Sequence, residues 1–212
     1  MADPLAGWFA AGGGAPVWQL PLLVVASACF YTSGLVFNDC FDYELDCVEH
    51  PERPLPSGAI SRKAACTLGV VLMCAGLGLA ALAGPVPFGV GLFLGAMILF
   101  YNAWARHFVV LRGLVLGACR FANFLFGMRC LPLRLTWMPA VIGVYTASIT
   151  LLSIHETDNP ALQRIIKQML LGVIVVDAAI AWLSPFGDPL SALLVLSLLV
   201  PAVALGRAFA MT

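Results

Sequence analysis

Three aspartates, Asp39, Asp42 and Asp46, stand at spacings of three and seven residues in the segment NDCFDYELD, Asn38–Asp46. If that segment is helical, the three carboxylates share one narrow stripe and Asn38 lies beside it. Like charges stacked on one helix face repel, so the arrangement is costly unless something positive sits against it. Magnesium suits such a stripe: it is a hard cation held by one or two carboxylates, with substrate phosphates completing its octahedron. The plain alternative is a solvated acidic loop after a helix. Arg53 follows Asp46 by seven residues, inside RPLPSG at Arg53–Gly58. The prolines and glycine predict a rigid turn, and Ser61 is placed to cap the helix that follows. Arg53 would offer phosphate oxygens a planar fork, or else pair with Glu49 or Glu52.

The elements that must hold these residues follow from composition. Of 212 residues, 61% are hydrophobic and 10% charged, and the mean hydropathy is +0.97. A soluble domain of this length needs a larger charged surface, so lipid is the main solvent. The formal charge is zero and no basic cluster occurs, which argues against a nucleic-acid partner. The cysteines are scattered with no CxxC pair, and Asp3 is the only charge near the N-terminus, so no cleaved signal peptide is expected.

With about 20 apolar residues needed per crossing, seven spans are expected: 17–37, 64–84, 88–104, 113–128, 137–155, 165–184 and 189–206. The runs lack a period of two, so they predict helices rather than a barrel, and the fold class is an all-α, multi-pass transmembrane bundle. Arg53, Arg62, Lys63, Arg106, Arg112, Arg164, Lys167 and Arg207 fall on one face, as do all three histidines, against Arg129 and Arg134 on the other. Positive-inside bias then puts the 38–63, 105–112 and 156–164 loops on the cytoplasmic side of the cell membrane, with the N-terminus outside. Arg120 and Asn123 lie in an apolar run at i, i+3, where a functional role and an interhelical polar clamp are both open.

NDxxDxxxD followed by RPLPSG closely resembles the first aspartate-rich motif of the UbiA-type membrane prenyltransferases. The stretch FYNAWAR resembles the family's tyrosine-to-lysine segment, with Tyr101 at its start and Arg106 in the basic position. GACRFANFLFGM at Gly117–Met128 and ITLLSIHE at Ile149–Glu156 look most like the UbiA-like subgroup called EboC. The likeness runs from about Gly7 to the end, so residues 1–212 are expected to form one UbiA-like membrane domain.

The resemblance implies a bundle around a membrane-open cavity, where a prenyl group passes from a polyprenyl diphosphate to an aromatic or other lipophilic acceptor. It implies Mg2+ as cofactor, with Asn38, Asp39, Asp42 and Asp46 at the first metal site, Asp39, Asp42 and Asp46 being catalytic. Arg53, Tyr101 and Arg106 would meet the diphosphate, and Arg120 and Asn123 would line its end of the cavity. The second aspartate-rich motif of the family corresponds to IHETDNP, which offers Glu156 and Asp158 as metal ligands beside His155, without the family's aspartate spacing. That departure favours an alternative: a non-catalytic UbiA-like protein that binds or transports a lipophilic metabolite. In the family NDxxD ends the second helix, whereas here it ends the first expected span. The first helix is therefore expected to be absent, with Ala6–Gly14 reading as the loop before the second.

Overall fold

In lipid a chain must satisfy its backbone polar groups internally, and the apolar runs of this chain do so as helices. The computed structural model describes residues 2–13, 16–129, 135–155 and 159–209. Among them the α-helices are α1 Ala2–Ala10, α2 Gln19–Glu49, α3 Arg62–Ala83, α4 Pro85–Ala103, α5 Val109–Met128, α6 Trp137–Leu152, α7 Pro160–Leu183, α8 Pro189–Leu196 and α9 Leu199–Phe209. Short 3-10 turns at Ala105–His107 and Ser153–His155 follow α4 and α6. Among the described residues, five helices (α2, α3, α4, α5 and α7) are long and apolar enough to cross a membrane. The protein is an integral membrane protein.

Seven spans were expected, and the difference lies in two of them, 137–155 and 189–206. The expected run 137–155 is α6, a helix of 16 residues that ends at Leu152. The expected run 189–206 breaks after Leu196 into α8 and α9. Both are apolar but shorter than a full crossing.

A second correction concerns Ala6–Gly14, expected as a loop. The chain is helical from Ala2 to Ala10, and Ala2, Ala6 and Ala10 form a buried face at i, i+4. This face is smooth enough for backbones to touch. A Cβ on Gly7 would stand 2.2 Å from the Phe124 carbonyl oxygen, and one on Gly127 would stand 2.1 Å from that of Pro4. Only glycine allows α1 to lie so close to α5.

Around the other end, Ser61 accepts from the Ala64 N–H at 3.2 Å and caps α3, as its position before the apolar run predicts. The α2/α3 and α4/α5 connections meet at one end of the bundle, where Arg106 bonds to Asp42. The start of α5 lies against the end of α6, since Gly113 faces Ala147 and Leu151. The α6/α7 connection therefore begins at that same end.

Candidate functional site

No proline or glycine interrupts Asn38–Glu49, so α2 continues past the apolar run and carries all three aspartates on regular helix. It stops at His50 (φ −140, ψ 59), the residue before Pro51, where proline sterics disfavour helix. Just below the acidic stretch, α2 is tied on two sides. Ser33 Oγ donates to the Gly69 carbonyl of α3 at 2.8 Å. Asn102 Nδ2 of α4 donates to the carbonyls of Ile98 at 3.0 Å and Gly34 at 3.3 Å. Phe37 packs where a Cβ on Gly69 would come within 2.9 Å of its ring. These ties fix the rotation of α2, and with it the direction of each carboxylate.

The stripe divides in two. Asp39 and Asp46 line a cleft of about 320 Å³ together with Val36, Arg53, Leu55 and Ile60. Asp46 is buried, and Arg53 Nη1 donates to it at 2.7 Å. This bond raises the pKa of the guanidinium above its ordinary value. Glu49 and Glu52 are thus not the partners of Arg53. Asp39 is exposed to the cleft, and no side chain among the described residues donates a hydrogen bond to it.

Asp42, turned roughly 60° around the helix from Asp39, accepts from Arg106 Nη1 and from Asn38 Nδ2. Arg106 also donates to the Phe41 carbonyl at 3.3 Å, so the turn after α4 is fastened to α2. Tyr101, one turn back on α4, lies within electrostatic reach of Arg112, Arg106 and Asp42. Asn38, Asp39, Asp42, Asp46, Arg53, Tyr101 and Arg106 therefore gather at one end of the bundle.

Arg120 and Asn123 stand apart from this group. Arg120 Nη1 reaches both carboxylate oxygens of Asp3, at 2.8 and 2.9 Å, and Asn123 Nδ2 reaches one at 2.8 Å. Ser27 of α2 donates to Asn123 at 2.8 Å, and Ser27 precedes Asp39 by roughly 18 Å of helix. Asp177 on α7 is also fully buried, with its carboxyl group beside that of Asp3. Asp3 and Asp177 were not among the residues singled out from sequence. Their burial depends on how α1 and α7 dock, which no local spacing reveals. Glu156 and Asp158 lie outside the described residues.

Among the described residues no group of three or more His, Cys, Asp or Glu side chains is arranged to hold a metal. Magnesium does not require one, because it keeps waters and commonly binds through one or two carboxylates and the phosphates of a substrate. An open carboxylate at Asp39, sharing its cleft with Asp46 and with Arg53 on the wall, fits that mode of binding.

A family model described as the UbiA prenyltransferase family matches residues 4–211. The digeranylgeranylglyceryl phosphate synthase of Metallosphaera sedula is 32% identical over 109 residues, 51% of this chain and 38% of that protein. The enzyme of the same name from Thermococcus kodakarensis is 47% identical over 77 residues, 35% of this chain and 27% of that protein. The matched stretches thus span well under half the length of these relatives. In fold, the chain is similar to a UbiA homolog from Archaeoglobus fulgidus bound to DMAPP and Mg2+, with a TM-score of 0.65 at 15% identity. That likeness covers 98% of this chain and 82% of the other.

Proposed function

Because the chain belongs to the UbiA prenyltransferase family, we propose that it transfers a prenyl group from a polyprenyl diphosphate to a lipophilic acceptor within the membrane, with Mg2+. The observation that carries this reading is the cleft at the end of α2, where Asp39 is open beside the Asp46–Arg53 pair. Asp39 and Asp46 would hold the ion, which when bound supplies positive charge to the departing diphosphate. Arg53 is half exposed, so its guanidinium can turn from Asp46 to a phosphate oxygen, provided that the ion then balances the buried Asp46 carboxylate. Arg106 is fixed by Asp42 and presents its remaining N–H groups to the same end, while Asn38 holds Asp42 in place. Tyr101 supplies a hydroxyl within reach of these charges. The apolar helices keep water from the prenyl carbon once the diphosphate leaves.

Asp42 is a positioning carboxylate in this reading and joins the metal site only if Arg106 releases it. Glu156 and Asp158 are the acids that the α6/α7 connection would bring to a second metal. The names of the relatives support an isoprenoid lipid acceptor, and an aromatic acceptor rests on the motif resemblance alone. Placement in the EboC-like subgroup rests on Gly117–Met128 and Ile149–Glu156, while the matched relatives carry another name. The excess of Arg and Lys at the acidic end supports a cytoplasmic position for it, in the cell membrane.

A second reading, a non-catalytic protein that binds or transports a lipophilic metabolite, is favoured by the missing aspartate spacing at 149–159. One experiment separates the two. Purified protein in detergent is given a polyprenyl diphosphate and Mg2+, and pyrophosphate release is followed with and without acceptor lipids. Magnesium-dependent release supports the transferase. Binding with no release under any acceptor supports the second reading.

A further inference from the structure

Arg112 was placed by sequence only among the basic residues of one face, yet its surroundings are those of an anion site. Its Nε is buried without a hydrogen-bond partner, as is the Nε of Arg106. Among the described residues no carboxylate forms an ion pair with Arg112. A partly buried guanidinium without a counter-charge is costly, more so in a membrane protein.

The register of the helices shows where Arg112 points. α2 and α5 run in opposite directions, since the end of α2 and the segment before α5 meet through Asp42 and Arg106. Asn123 of α5 is joined to Ser27 of α2 at 2.8 Å. Arg112 lies eleven residues from Asn123, just over three full turns, so it is on the same stripe of α5. The same rise along α2, roughly 16 Å, leads from Ser27 to Asn38. Arg112 thus faces the bundle interior at the level of Asn38 and Asp39. Tyr101 on α4 lies within electrostatic reach of Arg112, Arg106 and Asp42 alike. The first turn of α5 adds positive character: it has no acidic residue and no side-chain cap.

We propose that Arg112 is a third phosphate-binding guanidinium of this site, contacting a phosphate oxygen of the diphosphate from the α5 side, opposite Arg53. This rests on the function proposed above. Three guanidiniums from the loop after α2, the turn after α4 and α5 would then surround a group that carries several negative charges.

The test uses the full chain in detergent and inorganic pyrophosphate with Mg2+, with affinity read by calorimetry. Arg112→Gln should weaken pyrophosphate binding about tenfold or more, and Arg112→Lys should recover part of the loss. Binding of a prenyl alcohol, which has no phosphate, should not change in either variant. Unchanged pyrophosphate affinity in Arg112→Gln overturns the assignment, while absence of pyrophosphate binding in the wild type overturns the proposed function itself. In the wild type, mass spectrometry after treatment with an arginine-selective dicarbonyl should show Arg112 protected by pyrophosphate and Mg2+. This second measurement stands if Arg112→Gln does not fold. Protection by phosphatidylglycerol vesicles but not by pyrophosphate would make Arg112 a lipid-headgroup contact and overturn the proposal.

Discussion

Asp39, Asp42 and Asp46 are one residue type on one helix, and their partners separate them. Asp42 and Asp46 are each joined to an arginine, whereas Asp39 faces its cleft without a side-chain donor. Removing Asp39 therefore breaks no internal bond and should leave the fold intact. Asp39→Ala should abolish magnesium-dependent pyrophosphate binding with an unchanged helical circular dichroism signal, and undiminished binding would exclude Asp39 as a metal ligand. Arg53→Lys keeps the charge but loses the planar fork, so it should weaken pyrophosphate binding while Asp46 stays paired. A calorimetric titration checks this, and equal affinity would remove Arg53 from the site. The three-and-seven spacing of the aspartates was legible because a helix converts it directly into a stripe. The split of that stripe was not, because the rotation of α2 is set by Ser33, Phe37 and Asn102, whose partners lie on other helices. Arg112 was hidden for the same reason, since its meaning depends on the register of α5 against α2.

At the scale of elements, the cap at Ser61, the turn at 50–61 and the continuation of α2 through Asp46 were all readable, because each rests on local chemistry. Helix α1 was not readable. It is nine residues long, too short to register as a span, and its contacts are made by alanine and glycine against a helix more than a hundred residues away. Its charged anchor is Asp3, fully buried against Arg120 and Asn123. Removing one partner of a buried pair leaves an uncompensated charge, at a cost of about 3–5 kcal/mol. Arg120→Ala should therefore lower the thermal unfolding midpoint in detergent clearly, and adding Asp3→Asn to it should restore part of the loss. A role for Arg120 at the diphosphate makes a different prediction: pyrophosphate affinity would fall with little change in the midpoint. Measuring both quantities on the same variant distinguishes the clamp from the substrate contact.

For the whole molecule, the distribution of charge and the direction of the helices agree on a single chemical end. The acidic stretch of α2, the turn with Arg106, the start of α5 and the start of the α6/α7 connection lie there together. If that end is cytoplasmic, the exposed thiol of Cys47 should react with a membrane-impermeant maleimide in inside-out vesicles and not in intact cells. The chain leaves α6 at Leu152, just after Leu151 meets Gly113, the neighbour of Arg112. In the function proposed above, Glu156 and Asp158 would serve a second metal. A second metal clamps a reacting phosphate from the other side, and such a clamp acts most strongly as charge develops on the leaving group. Losing it should therefore cost transition-state stabilisation more than ground-state binding. An imidazole nitrogen such as that of His155 suits magnesium poorly, which leaves the two acids to serve. Replacing Glu156 and Asp158 by Ala should lower turnover strongly, with a smaller change in the affinity for polyprenyl diphosphate. Steady-state kinetics beside direct binding measurements give both numbers. Normal turnover in both single variants and in the double variant would show that neither acid holds a metal, and would leave the cleft at Asp39 as the place where any bound ion must act.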